Sequence, residues 1–359
     1  MTEQQAESAE RQAADAASSG GQGGGGRRPE RERSFSLDFQ DLGQRYALIV
    51  AWIVVIVVFS LLRPDTYFTS GNFQTIFGSQ AVLLILAMGL IIPLTTGDFD
   101  LSIASVLTLS SMTLALLTVE HGWGLFPAII AVMLIGVFIG AINGGLVVLL
   151  GIDSFIVTLG TGTVCNGIVL WISDSNTVSG VPDFLLDWVI TNRILDISLA
   201  FWYGLLLTAL LWYVFTYTAL GRRLLFVGRG RNVSRLSGIA VGRIRWGALV
   251  ASATIAAFAG VVYTGTLGGA DPTSGLAFLL PAFAAAFLGA TAIQPGRFNA
   301  WGTFIAVFFL VSGITGLQLM GARSFVQPLF YGGALVLAVA LTQLVRRRTI
   351  KDEAAAGAG

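Results

Sequence analysis

The sequence predicts an all-α membrane protein, a polytopic bundle of about ten transmembrane helices with its N and C termini on the cytoplasmic side. Three observations carry that expectation. Of 359 residues, 55% are hydrophobic and only 11% are charged, under half the charged share of about 25% in a soluble domain. The apolar residues fall into long runs, and one membrane-crossing helix needs about 20 of them. The positive charges collect in alternate loops, the asymmetry that orients membrane proteins. This composition excludes a soluble globular enzyme, a disordered protein and a disulfide scaffold.

The elements follow in chain order. Residues 1–45 are rich in Gln, Ala, Ser, Gly, Glu and Arg and include the run Gly20-Gly21-Gln22-Gly23-Gly24-Gly25-Gly26. Too few apolar side chains are present to form a core, so a disordered cytoplasmic tail is expected. It does not read as a secretory signal, because the first apolar run starts only at Tyr46 and no small-residue cleavage site follows. Ten apolar runs then lie at about 46–62, 76–96, 99–118, 124–150, 154–173, 197–217, 246–267, 277–294, 298–319 and 326–345. Each is read as one helical span, since lipid does not tolerate unpaired backbone groups and no barrel-like alternation appears. The second and third runs nearly touch, so that junction reads as a break inside the membrane or as a tight turn. Residues 46–348 form the membrane domain, and 349–359 a short cytoplasmic tail.

Placing both termini in the cytoplasm puts every basic residue inside except Arg63, Arg193 and Arg323. The loop after the sixth run alone holds Arg222, Arg223, Arg229, Arg231, Arg235, Arg243 and Arg245. The largest outer loop, about 174–196, is acidic, with Asp174, Asp183, Asp187 and Asp196 against Arg193.

Rare residues exclude mechanisms. Cys165, His121 and Lys351 are the chain's single cysteine, histidine and lysine. No intrachain disulfide is possible, no His-x-x-x-His metal pair exists, and no lysine precedes Ser or Thr as a phosphate-cradling loop requires. A catalytic triad would have to recruit His121 at a membrane edge, and a Ser-Lys dyad a tail residue. No metal, cofactor or catalytic residue is therefore expected.

Two patterns within the spans carry information. Small residues recur at helical spacing: Gly136, Gly140 and Gly144; Ser252, Ala256, Gly260, Thr264 and Gly268; Ala282, Ala286 and Ala290. Such stripes let helix backbones approach closely, or else line a pore. Polar groups also interrupt the apolar runs. Asp98 and Asp100 lie between the second and third runs, where a carboxylate at the bilayer centre costs about 2.5–3.5 kcal/mol. They belong either to a turn in which Asp100 caps the next helix or to a broken helix lining a cavity. Asp100, Ser102, Asn143, Thr158 and Asn166 are the candidate substrate-pathway residues, although interhelical hydrogen bonding also accounts for polar groups in spans.

Four ordered blocks resemble ribose/xylose-type ABC transporter permeases, over about 46–348. Thr95-Thr96-Gly97-Asp98-Phe99-Asp100-Leu101-Ser102-Ile103-Ala104-Ser105 is similar to the family's Thr-x-Gly-Gly-Ile-Asp-Leu-Ser-Val-Gly-Ser. Leu220-Gly221-Arg222-Arg223, then Val227-Gly228 and Asn232-x-x-Arg235-Leu236-Ser237-Gly238-Ile239, is the second. Ala270-Asp271-Pro272-Thr273-Ser274-Gly275 and Leu288-Gly289-Ala290-Thr291 through Gly296-Arg297-Phe298 complete the set. Departures include Asp98 in place of the second glycine, Ala104 in place of a later one, and Val233-Ser234-Arg235 where many members have Glu-Ala-Ala after the Asn.

The resemblance implies a homodimeric or heterodimeric permease in the bacterial cytoplasmic membrane. It would work with a cytoplasmic ABC ATPase and an extracytoplasmic solute-binding protein. It implies a coupling segment at Gly228–Ile239, with Gly228, Asn232, Arg235, Leu236, Ser237, Gly238 and Ile239 meeting the ATPase. The expected function is ATP-driven import of a monosaccharide or related small polar solute. The rival is an ion-coupled secondary transporter using Asp98 and Asp100. A polytopic membrane enzyme is disfavoured by the missing His, Lys and Cys chemistry.

Overall fold

The computed structural model describes residues 39–340. Residues 1–38 of the tail expected over 1–45, and all of the tail expected over 349–359, lie outside the described residues. Helix α1 spans Phe39–Leu62 and starts ahead of Tyr46. It is followed by α2 (Ser70–Ser79) and α3 (Ala81–Thr95), two helices bent by 41° at their junction that together have the length and apolarity of one span. Then come α4 (Ile103–Ala115, continued by a π turn over Leu116–Glu120), α5 (Leu125–Leu149) and α6 (Ser154–Ile172). The acidic loop folds as β1 (Val178–Ser179), α7 (Asp183–Leu186), β2 (Arg193–Ile194) and β3 (Ile197–Ser198). The second half holds α8 (Leu199–Tyr217), α9 (Ala219–Arg229), α10 (Arg231–Leu236) and α11 (Val241–Leu267). Strand β4 (Gly269–Ala270), α12 (Leu279–Gly289), α13 (Ala300–Leu319) and α14 (Val326–Ala340) follow.

Each of the ten apolar runs is helical over most of its described residues in this all-α bundle. Among the described residues, seven helices are long and apolar enough to cross a membrane, or eight when the bent α2–α3 pair is counted as one span, and Ser274–Gly289 and Val326–Ala340 are shorter apolar helices. The centre of the bundle is α3, every residue of which is buried, against α11, which also packs on α4 and α5. Helix α1 is peripheral and turns most of its surface outward.

The small-residue stripes serve helix packing. A Cβ on Gly140 of α5 would lie 2.6 Å from Val250 Cα of α11, and one on Gly136 2.6 Å from Ala257 Cβ. On its other side α11 presents Gly260 to Ser110 of α4, and Thr264 Oγ1 donates to Ser111 Oγ at 2.9 Å. These approaches exclude any side chain larger than hydrogen at the glycines, the arrangement by which helices associate without a hydrophobic drive.

The two ends of the bundle differ in construction. At one end, two short antiparallel ribbons cover the helix tips, β1 with β4 (Val178↔Ala270) and β2 with β3 (Arg193↔Ser198). At the other lie the α3–α4 junction, α9, α10, the start of α11 and the turn between α12 and α13. Arg45 of α1 joins that turn, its carbonyl accepting from Ile293 N at 2.9 Å.

Candidate functional site: a helix junction clamped to a basic segment

The junction between α3 and α4 is a designed stop. Gly97 takes φ +78°, a left-handed conformation that glycine adopts without penalty. Gly97 N donates to Leu94 O at 3.1 Å and Asp98 N to Pro93 O at 3.0 Å, the paired bonds that close a helix C-terminus. Asp98 is therefore carried past the end of α3 and turned inward, with its side chain 1% exposed.

Two guanidinium groups meet it there. Arg245, in the first turns of α11, donates from Nε to Asp98 Oδ2 at 2.8 Å and from Nη2 to Oδ1 at 2.6 Å. Arg231, the first residue of α10, donates from Nη2 to Oδ1 at 3.0 Å. The same Arg231 nitrogen reaches Gly97 O at 2.9 Å and Thr96 O at 3.3 Å. These carbonyls end α3, where the helix dipole is negative and a cation is favoured. Thr96 Oγ1 adds a bond to Asp98 Oδ2 at 3.1 Å. The forked pair with Arg245 is the stronger geometry, and Arg245 is also the more enclosed, 16% exposed against 41% for Arg231. Backbone packing tightens the same contact, because a Cβ at Gly228 of α9 would collide with the Thr95 carbonyl.

Asp100, two residues on, has a different environment. It is fully buried, and its Oδ1 accepts from Ser102 N at 3.1 Å and Ser102 Oγ at 2.6 Å. It thus orders the turn ahead of α4 and does not cap the helix amides further along. Asn143 Nδ2 of α5 donates to Ser102 Oγ at 3.0 Å, and the Ser252 hydroxyl of α11 lies beside the carboxyl. Asp100 Oδ2, Asn143 Oδ1 and Ser252 Oγ are buried without a hydrogen-bond partner.

The other flank of the break is held by α6. Phe99 N donates to Ser154 Oγ and Leu101 N to Thr158 Oγ1, both at 3.0 Å. Of the pathway candidates, Asp100, Ser102 and Asn143 thus form one buried cluster, and Thr158 braces the same segment from the opposite side. Asn166 makes no bond to the cluster, and its Oδ1 is likewise unpartnered.

The coupling-segment candidates fall on α10 and its flanks. Asn232, Arg235, Ser237 and Gly238 are exposed, Ile239 is half-buried, and Leu236 is 90% exposed at the tip with Val233 beside it. Ser234, buried beneath, donates to Phe226 O at 2.9 Å and Gly230 O at 2.8 Å, pinning α10 to α9. Sequence reasoning missed Arg231, Arg245, Ser154 and Ser252 as site residues. The arginines read only as part of a basic loop. The one available signal was Asp98 itself, a charge where the resembled pattern has glycine and hence in need of a partner.

At the opposite end, Asp271 Oδ1 accepts from Thr273 N and Ser274 N at 2.8 Å and from Thr273 Oγ1 at 2.9 Å. Oδ2 accepts from Thr177 at 3.3 Å. These bonds, the Thr273 amide first, hold its carboxyl below the ordinary carboxylate range. Phe126, Phe184 and Trp188 form an exposed aromatic cluster, with Phe184 and Trp188 4.9 Å apart.

Residues 72–340 match the family model described as branched-chain amino acid transport system / permease component. A D-allose transport system permease protein of Escherichia coli (strain K12) is 30% identical over 312 residues, covering 86% of this chain and 95% of that protein. A ribose import permease protein of Haemophilus influenzae is 30% identical over 295 residues, 81% and 90% of the two chains. A xylose transport system permease protein of E. coli is 26% identical over 368 residues, 85% and 93%. No solved structure matches significantly. The relatives are transport permeases, and the helical bundle is that of a multi-pass protein of the bacterial cytoplasmic membrane. The chain belongs to the branched-chain amino acid transport system / permease component family.

Proposed function

We propose that this chain is the membrane subunit of an ATP-driven importer for a monosaccharide or related small polar solute. It crosses the membrane ten times with both termini in the cytoplasm, pairs with a second permease chain, and works with a separate ABC ATPase and an extracytoplasmic binding protein. The observation that carries this reading is the clamp of Arg231 and Arg245 on Asp98, with Gly228 against Thr95. The exposed tip of α10, with Leu236 and Arg235, meets the ATPase. Its base grips the break between two buried helices. Displacing the tip therefore displaces the junction through a continuous path of ion pairs and backbone contact, the physical requirement for coupling two distant sites. Asp100, Ser102, Asn143, Thr158 and Asn166 line the solute's path, and the unpartnered Asp100 Oδ2 and Asn143 Oδ1 offer it passing hydrogen bonds. The acidic outer loop, with Asp174, Asp183 and Asp196 exposed, receives the binding protein. Reconstitution with an ATPase and a binding protein tests the reading. Uptake that continues when the ATPase is catalytically dead overturns it.

The rival, ion coupling through Asp98 and Asp100, is weakened by the saturation of Asp98 with two guanidiniums, which leaves it poorly placed to bind and release an ion. Asp100→Asn measured with collapsed ion gradients separates the two readings. An ATP-driven importer keeps more than about a tenth of its uptake, a loss under about 1.4 kcal/mol in barrier, whereas an ion-coupled carrier stops.

A further inference from the structure

We propose that a cavity at the basic end of the bundle binds the phosphate headgroup of an anionic phospholipid. The cavity, of about 290 Å³, lies between the end of α8, the first turns of α9 and the turn joining α12 to α13. That is near the small end of ligand pockets, about 300–1,000 Å³, and suits a phosphodiester better than a drug-sized body. Arg222 and Arg297 enter its lining from separate elements. Both are exposed, and neither has an ion-pair partner among the described residues. Two cations facing one cavity repel each other unless an anion lies between them.

Three further features point to lipid as the source of that anion. The other wall is aromatic, with Trp212 and Trp301 6.5 Å apart and edge to face. Trp212 continues into a tyrosine pair at the end of α8, 5.4 Å from Tyr217, and such clusters mark the headgroup level of a membrane. The cavity therefore sits where a span meets the interface, open to acyl chains on one side and basic on the other, the arrangement that takes lipid headgroups between helices. Third, α13 begins at its rim, with Asn299, Ala300 and Trp301 in the lining, and its positive dipole end favours an anion. The floor is fixed in advance, because buried Asn299 Nδ2 donates to Arg297 O at 3.1 Å, Ala292 O at 3.0 Å and Gly289 O at 3.2 Å. Arg297 is thereby held at the rim before any ligand arrives.

The test uses the full chain in mild detergent, with bound lipid read by native mass spectrometry after adding phosphatidylglycerol, phosphatidylcholine or inorganic phosphate. The unaltered chain should retain phosphatidylglycerol about tenfold better than phosphatidylcholine. Arg222→Gln with Arg297→Gln should abolish that preference. Lysine at both positions should restore most of it, and Arg193→Gln, at the opposite end, should leave it intact. Quenching of tryptophan fluorescence by brominated phosphatidylglycerol, stronger than by brominated phosphatidylcholine, supports the site without any substitution. Four results would overturn it: a preference unchanged in the double glutamine variant, equal retention of the two lipids, equal quenching by the two, or displacement of the lipid by an equal concentration of inorganic phosphate. Loss of ATPase co-purification from the glutamine variant with lipid retention unchanged would also overturn it, and would make the cavity a protein-docking site.

Discussion

The two ends of the bundle are fastened by different physics. At the basic end, residues far apart in the chain are joined by charge. Asp98 is held by Arg231 and Arg245, and the contact closes over the stop of a buried helix. At the opposite end, among the described residues, the fastening uses no ion pair and is mostly backbone. Strands β1 and β4 share a short ladder, and Asp271 satisfies its own turn before it reaches Thr177. A turn satisfied locally survives the loss of any one partner. A cluster built on one buried carboxylate does not, because removing Asp98 leaves two guanidiniums facing each other without their anion, one of them largely enclosed. The ion-paired end is thus sensitive to where α10 sits, and the ribbon end provides a fixed frame.

Substitutions at the two ends should break this contrast if it is wrong. The largest effect is expected for Asp98→Asn. Loss of one member of a buried pair costs about 3–5 kcal/mol, and the lower end applies because Arg231 is 41% exposed. Thermal unfolding of the purified chain measures it. A double-mutant cycle sharpens the point, with a larger coupling for Asp98–Arg245 than for Asp98–Arg231, since the former is forked and more enclosed. Gly228→Val comes next. The added side chain must displace the Thr95 carbonyl, an overpacking cost of about 1–3 kcal/mol, and uptake should fall about tenfold or more while the chain still inserts. Leu236→Ser should change stability by no more than about 0.5 kcal/mol, because Leu236 is 90% exposed. It should nevertheless weaken co-purification of the ATPase. The smallest effect belongs to Asp271→Asn, whose neighbours keep their ladder. The Asp271 carboxyl is depressed, so its tether is fully present above an ordinary aspartate pKa of about 3.9. It is lost as pH falls through the lower folded value, so proteolysis of the 174–196 loop should be flat from neutral pH down to about 4 and rise only below it.

Much of this was legible in the sequence. The ten apolar runs became helices because a backbone in lipid has no other way to satisfy itself. The near contact of the second and third runs marked the break, and Gly97 explains where it falls, since φ +78° suits glycine. The glycine stripe of α5 announced a close helix contact, though not that α11 would supply it. The two carboxylates of the break read alike in sequence. Asp98 joined an ion-pair cluster and Asp100 a neutral hydroxyl–amide cluster, because partners 133 and 147 residues away decided the first and Asn143 and Ser102 the second.

The helical bundle, the clustering of its arginines and the stop at Gly97 were all legible before folding. These follow from local composition, which the membrane judges segment by segment. The tertiary structure decided which helix is central. Helices α1 and α3 are both strongly apolar, yet α1 faces outward and every residue of α3 is buried. Lipid tails are as apolar as leucine, so hydropathy cannot separate a helix that faces lipid from one that faces protein. Only packing does that, and packing also chose the arginines that close on Asp98.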